Sequence, residues 1–179
     1  MKNLSYKRIV LNVTSTSLLV FSGTLFSADI VSDQNSAAQH QAGVTTTSSG
    51  VPMVNIVAPN SSGLSHNKFD SYSVTPKHLI INNSLQSTKT LISNTVRANP
   101  NLNGRAASVI LNEVTGANRT QLRGYSEIAG QKAELVIANP NGITCQGCGF
   151  INTPRVVLST GTPNIQNNRL MSLTVNQGD

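Results

Sequence analysis

The 179-residue chain has no tryptophan, four phenylalanines, three tyrosines, two cysteines and seven acidic residues, and charged residues make up only 11% of it. Each shortage excludes something. Tyr6, Phe21 and Phe26 lie before residue 29, so Phe69, Tyr72, Tyr125 and Phe150 are the only rings of these types that remain. A core that must be built from Val, Ile, Leu and Ala suits a narrow, repetitive β architecture better than a sandwich. The scarcity of acids argues against calcium chemistry, because Asp70 is the only aspartate between residue 34 and Asp179. Calcium-dependent β-helical lyases need clustered carboxylates. Glu113, Glu127 and Glu134 fall in three different apolar runs and read as solvated strand positions. Ser, His and Asp coexist, but serine is too abundant for that to mean anything. The sequence predicts no enzyme and no cofactor.

The basic balance is weaker than the net charge of +6 suggests. Lys2, Lys7 and Arg8 precede an apolar stretch from Ile9 to Phe26, which reads as an export signal over residues 1–28. Asn12 and the polar residues 14–17 interrupt that stretch, so it makes a poor membrane anchor. The signal holds three of the thirteen basic residues and no acid, leaving ten against seven, a net +3. The remaining basic residues are scattered singly from Lys68 to Arg169, without interleaved aromatics, which excludes a nucleic-acid footprint.

Residues 29–50 are polar, small and aperiodic, and are expected to form a flexible lead. From Val51 short apolar runs recur: VPMVNIVA, HLIIN, ASVILNEV, AELVIAN, RVVLST and LMSLTV. Each has strand length, is rich in β-branched residues and is bounded by Asn, Gly, Pro or Ser. Residues 85–98 carry weak helical spacing and are expected as a loop or a short helix. Pro59, Pro100, Pro140 and Pro163 are each followed by asparagine. Asn139-Pro140-Asn141-Gly142 has a favoured residue at each place of a type I turn, and Asn99-Pro100-Asn101-Leu102 repeats it without the glycine. The prolines at 59, 100 and 140 are 41 and 40 residues apart, which suggests two solenoid coils of about 20 residues per interval.

Both cysteines follow the second of these turns. Cys145-x-x-Cys148 admits a zinc half-site, a dithiol redox centre or a small disulfide loop. His40, His66 and His78 have no partner at ligand spacing, so zinc is disfavoured. The residues after Cys148 are turn and strand material rather than the helix that a thioredoxin-like centre needs. Export to an oxidising compartment favours a structural disulfide.

VPMVNIVAPNSSGLSHNKF (51–69), LIINNS (79–84), NPNLNGRAASVILNEVTGANRTQLRGY (99–125) and ANPNGITCQGCGFINTPRVVLSTGTP (138–163) resemble the N-terminal domain of two-partner secretion exoproteins. That family includes filamentous haemagglutinins, pore-forming haemolysins and contact-dependent growth-inhibition proteins. The resemblance runs from Val51 to the end of the chain. It implies an all-β fold, a right-handed parallel β-helix with a short N-terminal β cap. It also implies a secretion-signal function: after export by the Sec machinery, a dedicated outer-membrane transporter recognises the domain in the periplasm through its POTRA domains. The full protein would then be secreted or held at the cell surface. An adhesin that contacts host-cell surfaces is the alternative.

The family's NPNL and NPNGI turns fall here on Asn99, Pro100, Asn101 and Leu102, and on Asn139, Pro140, Asn141, Gly142 and Ile143. These are the expected transporter-recognition residues. Cys145 and Cys148 match a cysteine pair of the haemolysin and growth-inhibition branches. Two positions depart from the pattern. Tyr72-Ser73-Val74 stands where Phe-Asn-Val is usual, and His78 where a glycine commonly precedes the Leu-Ile run. MSLTVNQGD resembles a rung that the family continues past, so residues 51–179 are expected to be an incomplete domain ending inside the solenoid.

Overall fold

The computed structural model describes residues 29–175, so the expected signal peptide lies outside the described residues. Each apolar run forms a strand, and in the coils the side chains alternate between the interior and the outside. The strands are β1 (Ile30–Ser32), β2 (Gly43–Thr46), β3 (Pro52–Asn55), β4 (Leu64–Tyr72), β5 (Leu79–Asn83), β6 (Val109–Val114) and β7 (Thr120–Leu122). They continue with β8 (Tyr125–Gly130), β9 (Glu134–Ala138), β10 (Ile143–Cys145), β11 (Gly149–Ile151), β12 (Val156–Ser159), β13 (Thr162–Gln166) and β14 (Arg169–Thr174).

Their pairing is that of a three-sided solenoid. One face has the order β1-β4-β6-β9-β12, a second β11-β8-β5-β3-β2, and the third holds β7 and β10. Val74 extends the third face by a parallel bridge to Leu122. Within the coils every pairing is parallel, as in β4 with β6, β6 with β9, and β5 with β8. Parallel neighbours need crossovers, and those crossovers turn right-handed, giving a right-handed parallel β-helix.

The coil lengths correct the even spacing expected from the prolines. Leu64 pairs with Val109, 45 residues on, whereas Leu135 pairs with Val156 after 21 and Tyr125 with Gly149 after 24. The long coil carries an excursion between β5 and β6. Pro59 and Pro100 therefore sit at the same corner of successive coils, and Pro140 at a different one. Residues 85–98 form a loop in this excursion, with an isolated bridge between Thr88 and Val96 and no α-helix.

Residues 29–50 are not a flexible lead. β1 pairs antiparallel with β4 and β2 antiparallel with β3, so they cap the first coil. Their polar composition hid this, because a cap needs one buried face at most: all four residues of β2 are exposed. LMSLTV is a strand but not a rung. Residues 170–174 of it lie in β14, which folds back on β13 as an antiparallel hairpin. Ile165, Leu170 and Leu173 of that hairpin cover Leu64, Leu111 and Val136 on the outside of the first face.

The interior holds Val54, Leu79, Ile81, Ile110, Leu135 and Ile137 stacked from coil to coil. Two of the few rings meet there, Phe69 and Tyr72, at 5.0 Å between centroids. Asparagines complete the core. Asn67 is fully buried, accepts from Val57 N–H at 2.9 Å and donates to Asn112 Oδ1 at 3.1 Å. Asn112 donates in turn to the Tyr72 hydroxyl at 3.0 Å. Burial raises the Tyr72 phenol well above its ordinary pKa, outweighing the Asn112 hydrogen bond, so the ring stays neutral.

Candidate recognition site

The two Asn-Pro-Asn turns share one internal device. Asn99 is buried, and its Oδ1 accepts the backbone N–H of Asn101 at 2.9 Å. Its Nδ2 donates to the carbonyls of Ile56 at 2.9 Å and Asn82 at 2.8 Å. Asn139 is completely buried and accepts from Asn141 N–H at 2.9 Å. Its Nδ2 donates to the Asn118 carbonyl and to Thr120 Oγ1, both at 2.9 Å. The first asparagine of each turn therefore closes a local ring on its acceptor side and ties the turn to neighbouring strands or turns on its donor side.

The second asparagines also reach other segments. Asn101 Nδ2 donates to the Asn55 carbonyl at 3.2 Å, and Asn141 Nδ2 to the Gly116 carbonyl at 2.8 Å. The type I turn expected at 139–142 is closed by Gly142 N–H on the Asn139 carbonyl at 3.0 Å. Gly142 has φ 105°, which favours glycine; a Cβ there would also meet the guanidinium of the exposed Arg119 at 3.0 Å, a contact that side chain can relieve by moving aside. The first turn is instead a single 3-10 turn, Pro100–Leu102, followed by Asn103 in the left-handed region.

Turns that a partner reads would be expected to sit at the surface and contribute little to core burial; these depart from that. Asn99, Leu102 and Asn139 are buried, Leu102 within the main core. Pro100 and Asn141 are exposed, and Asn101, Pro140, Gly142 and Ile143 are half-buried. The turns are also not brought together through their hydrogen bonds. The first joins Ile56, Asn82 and Ser84, whereas the second joins Asn118, Thr120 and Ser159.

Immediately after the second turn, Cys145 and Cys148 are disulfide-bonded, with Cα atoms 5.4 Å apart. The bond spans the corner from β10 to β11. Gln146 N–H donates to the Leu122 carbonyl of the previous coil, and Cys148 packs against the core.

Glu113 and Glu127 are not the solvated strand positions expected, whereas Glu134 is half-exposed. Glu127 is buried and accepts the backbone N–H groups of Leu91 and Ile92 at 2.8 and 2.9 Å, which fastens the 85–98 loop over the second face. Glu113 accepts from His66 Nε2 at 2.6 Å and lies 3.7 Å from Lys68 Nζ. Burial opposes its charge, but the His66 hydrogen bond and the Lys68 ammonium hold its carboxyl below the ordinary range. Glu134 pairs with Arg155. Residue spacing carries no signal for these partners, since each comes from another coil or from the excursion. His78, at the family's glycine position, has φ 67°. Its Nδ1 accepts the Tyr125 backbone N–H at 3.0 Å, a contact that glycine would not make.

Comparison with known proteins agrees with this geometry. The family model described as the TPS secretion domain matches residues 28–179. The chain is 53% identical over 132 residues to a 16S rRNA endonuclease CdiA of Enterobacter cloacae subsp. cloacae, covering 72% of the chain and 4% of that protein. It is 44% identical over 150 residues to a hemolysin of Serratia marcescens, covering 84% of the chain and 9% of the relative. The chain thus spans under a tenth of the length of these curated relatives, and their nuclease or haemolysin names belong to them. Among solved structures it resembles a filamentous hemagglutinin secretion domain, with TM-score 0.70 and 37% identity over 79% of this chain and 45% of that one. With the family model matched over residues 28–179, the chain belongs to the two-partner secretion domain family, whose members are exported and secreted or surface-associated.

Proposed function

We propose that this domain addresses a large exoprotein to a cognate outer-membrane transporter, whose periplasmic POTRA domains bind it after Sec-dependent export. The domain carries no catalysis of its own in this reading. The observation that supports the assignment of the turns is their division of labour. Asn99, Leu102 and Asn139 face inward and set the shape, while Pro100 and Asn141 face solvent, flanked by half-buried Asn101, Pro140, Gly142 and Ile143. The inward residues position the turns and the outward ones touch the transporter. A residue that is exposed and rigidly held costs little entropy when it binds.

The test is secretion of the full-length exoprotein alongside protease resistance of its periplasmic pool. Pro100→Ala and Asn141→Ala are expected to leave the pool resistant while lowering the secreted fraction. Normal secretion by the folded double variant would remove these residues from the binding site. Unchanged secretion in a strain without the transporter would remove the transporter reading altogether.

A further inference from the structure

Sheet edges in natural proteins are defended by charge, proline, a bulge or a cover. Among the described residues the edge strand β2 has none of these. Gly43, Val44, Thr45 and Thr46 are all exposed, uncharged and paired with β3 without a register shift. Thr47 N–H donates to the Val51 carbonyl at 2.8 Å, and this fixes the phase of the ladder. Gly43 and Thr45 then direct their backbone groups toward β3, and Val44 and Thr46 direct theirs away from it. Pro52, opposite Thr46, has no N–H to offer, which fits that phase. No hydrogen bond among the described residues takes up the outward groups of Val44 and Thr46.

Two grooves flank this edge, one on each side of the sheet. The outer groove, about 510 Å³, is lined by Thr45, Thr47, Met53, Val96 and Arg97. The core-side groove, about 270 Å³, is lined by Ile30, Val44, Pro52, Asp29 and His78. A strand added to β2 would send alternate side chains into the two grooves, which is how strand addition combines main-chain affinity with side-chain selectivity. Arg97 is exposed and makes no ion pair with an acid among the described residues, so the outer groove favours an acidic side chain. Ile30, Val44 and Pro52 favour an apolar one on the other side.

We infer that β2 is a docking edge for an extended partner strand of alternating acidic and apolar residues, hydrogen-bonded to Val44 and Thr46. The strand belongs to the periplasmic part of the transporter, so the inference rests on the transporter reading above. It adds a second contact region, in the cap, distinct from the Asn-Pro-Asn turns.

The experiment uses the full-length exoprotein expressed with its transporter and a photo-crosslinking residue in place of Thr45. Crosslinks to a single extended segment of the transporter are expected. Thr46→Pro removes the outward donor and keeps the bonds to β3, and it should lower that crosslinking about tenfold. Arg97→Glu lies outside the strand, so it tests the same edge should Thr46→Pro fail to fold, and a comparable loss is expected. Protease resistance of the periplasmic pool serves as the folding control for both. Transporter-dependent secretion with crosslinking unchanged in both variants would overturn the inference alone. So would crosslinks from position 45 to a second copy or to residues 1–28 of the same chain. Secretion without the transporter would instead overturn the reading beneath it.

Discussion

Replacing Asn139 with alanine is the sharpest test of the internal turn device. The side chain is completely buried and makes three principal hydrogen bonds, to Asn118, Thr120 and the Asn141 N–H. A typical bond of this kind contributes about 1 kcal/mol net, and a buried group left without a partner costs about 1–3 kcal/mol. Asn118 is exposed and its carbonyl can turn to water, whereas Thr120 is fully buried and cannot. The loss should therefore come to about 3 kcal/mol, well above the cost expected of a turn that only decorates the surface. Asn141→Ala removes a donor from an exposed residue and should cost less than about 1 kcal/mol. Urea unfolding of the purified protein measures both, read as a shift in midpoint at constant slope. Equal midpoints for the two variants would refute the division into inward and outward asparagines.

Stability should also fall in acid. The Thr115 hydroxyl and the backbone N–H groups of Asn35 and Ser36 hold Asp33 below its ordinary pKa despite its burial, and His66 and Lys68 do the same for Glu113. The unfolded chain then takes up these protons at higher pH than the folded one, so the contribution is complete above about pH 5 and lost as pH drops through the folded values. Denaturant midpoints from pH 7 to pH 2 should show this, with a shallower fall in Glu113→Gln. Changing both cysteines to serine should cost only on the order of 1–2 kcal/mol, because the loop closed by Cys145 and Cys148 is so short, and calorimetry of the oxidised protein against the double variant reads it directly. Gly116→Ala should be worse than the double cysteine change. Its Cβ would lie 2.0 Å from the Asp70 carbonyl oxygen of the preceding coil, and a soluble yield equal to the parent's would contradict that packing.

The parts legible in the sequence were those with a local cause. The six apolar runs became strands because alternation and β-branching act within a few residues, and Asn139 accepts the Asn141 N–H because an Asx turn spans only two. Cross-coil facts were hidden. β4, the longest strand, reads LSHNKFDSY and is mostly polar, yet Ser65, Asn67, Phe69 and Tyr72 are buried. Its inward asparagine is satisfied by Val57, Leu111 and Asn112, and no pattern over one strand reveals a partner 45 residues away. The place of the cap was hidden for the same reason: the resemblance implies a short N-terminal β cap, but composition alone reads residues 29–50 as a flexible lead. Ala42 reaches the core, but the strand that follows it contributes only its backbone to β3.

This bears on how the Asn-Pro-Asn turns can be understood at all. Backbone carbonyls buried at these corners need a donor from within the protein, since buried polar groups are rarely left unpaired. Asparagine supplies two donors and an acceptor on a side chain of three heavy atoms beyond Cβ. Asn99 and Asn139 both use that capacity, each tying neighbouring segments together with one amide. Folding alone thus demands the first asparagine of each motif. It makes no such demand for an exposed Pro100 or Asn141, whose side chains are rigidly placed but largely in solvent. A motif can therefore be shared by the family for two separate reasons at adjacent positions. Secretion measured together with folding separates them residue by residue, where similarity of the motif as a whole cannot.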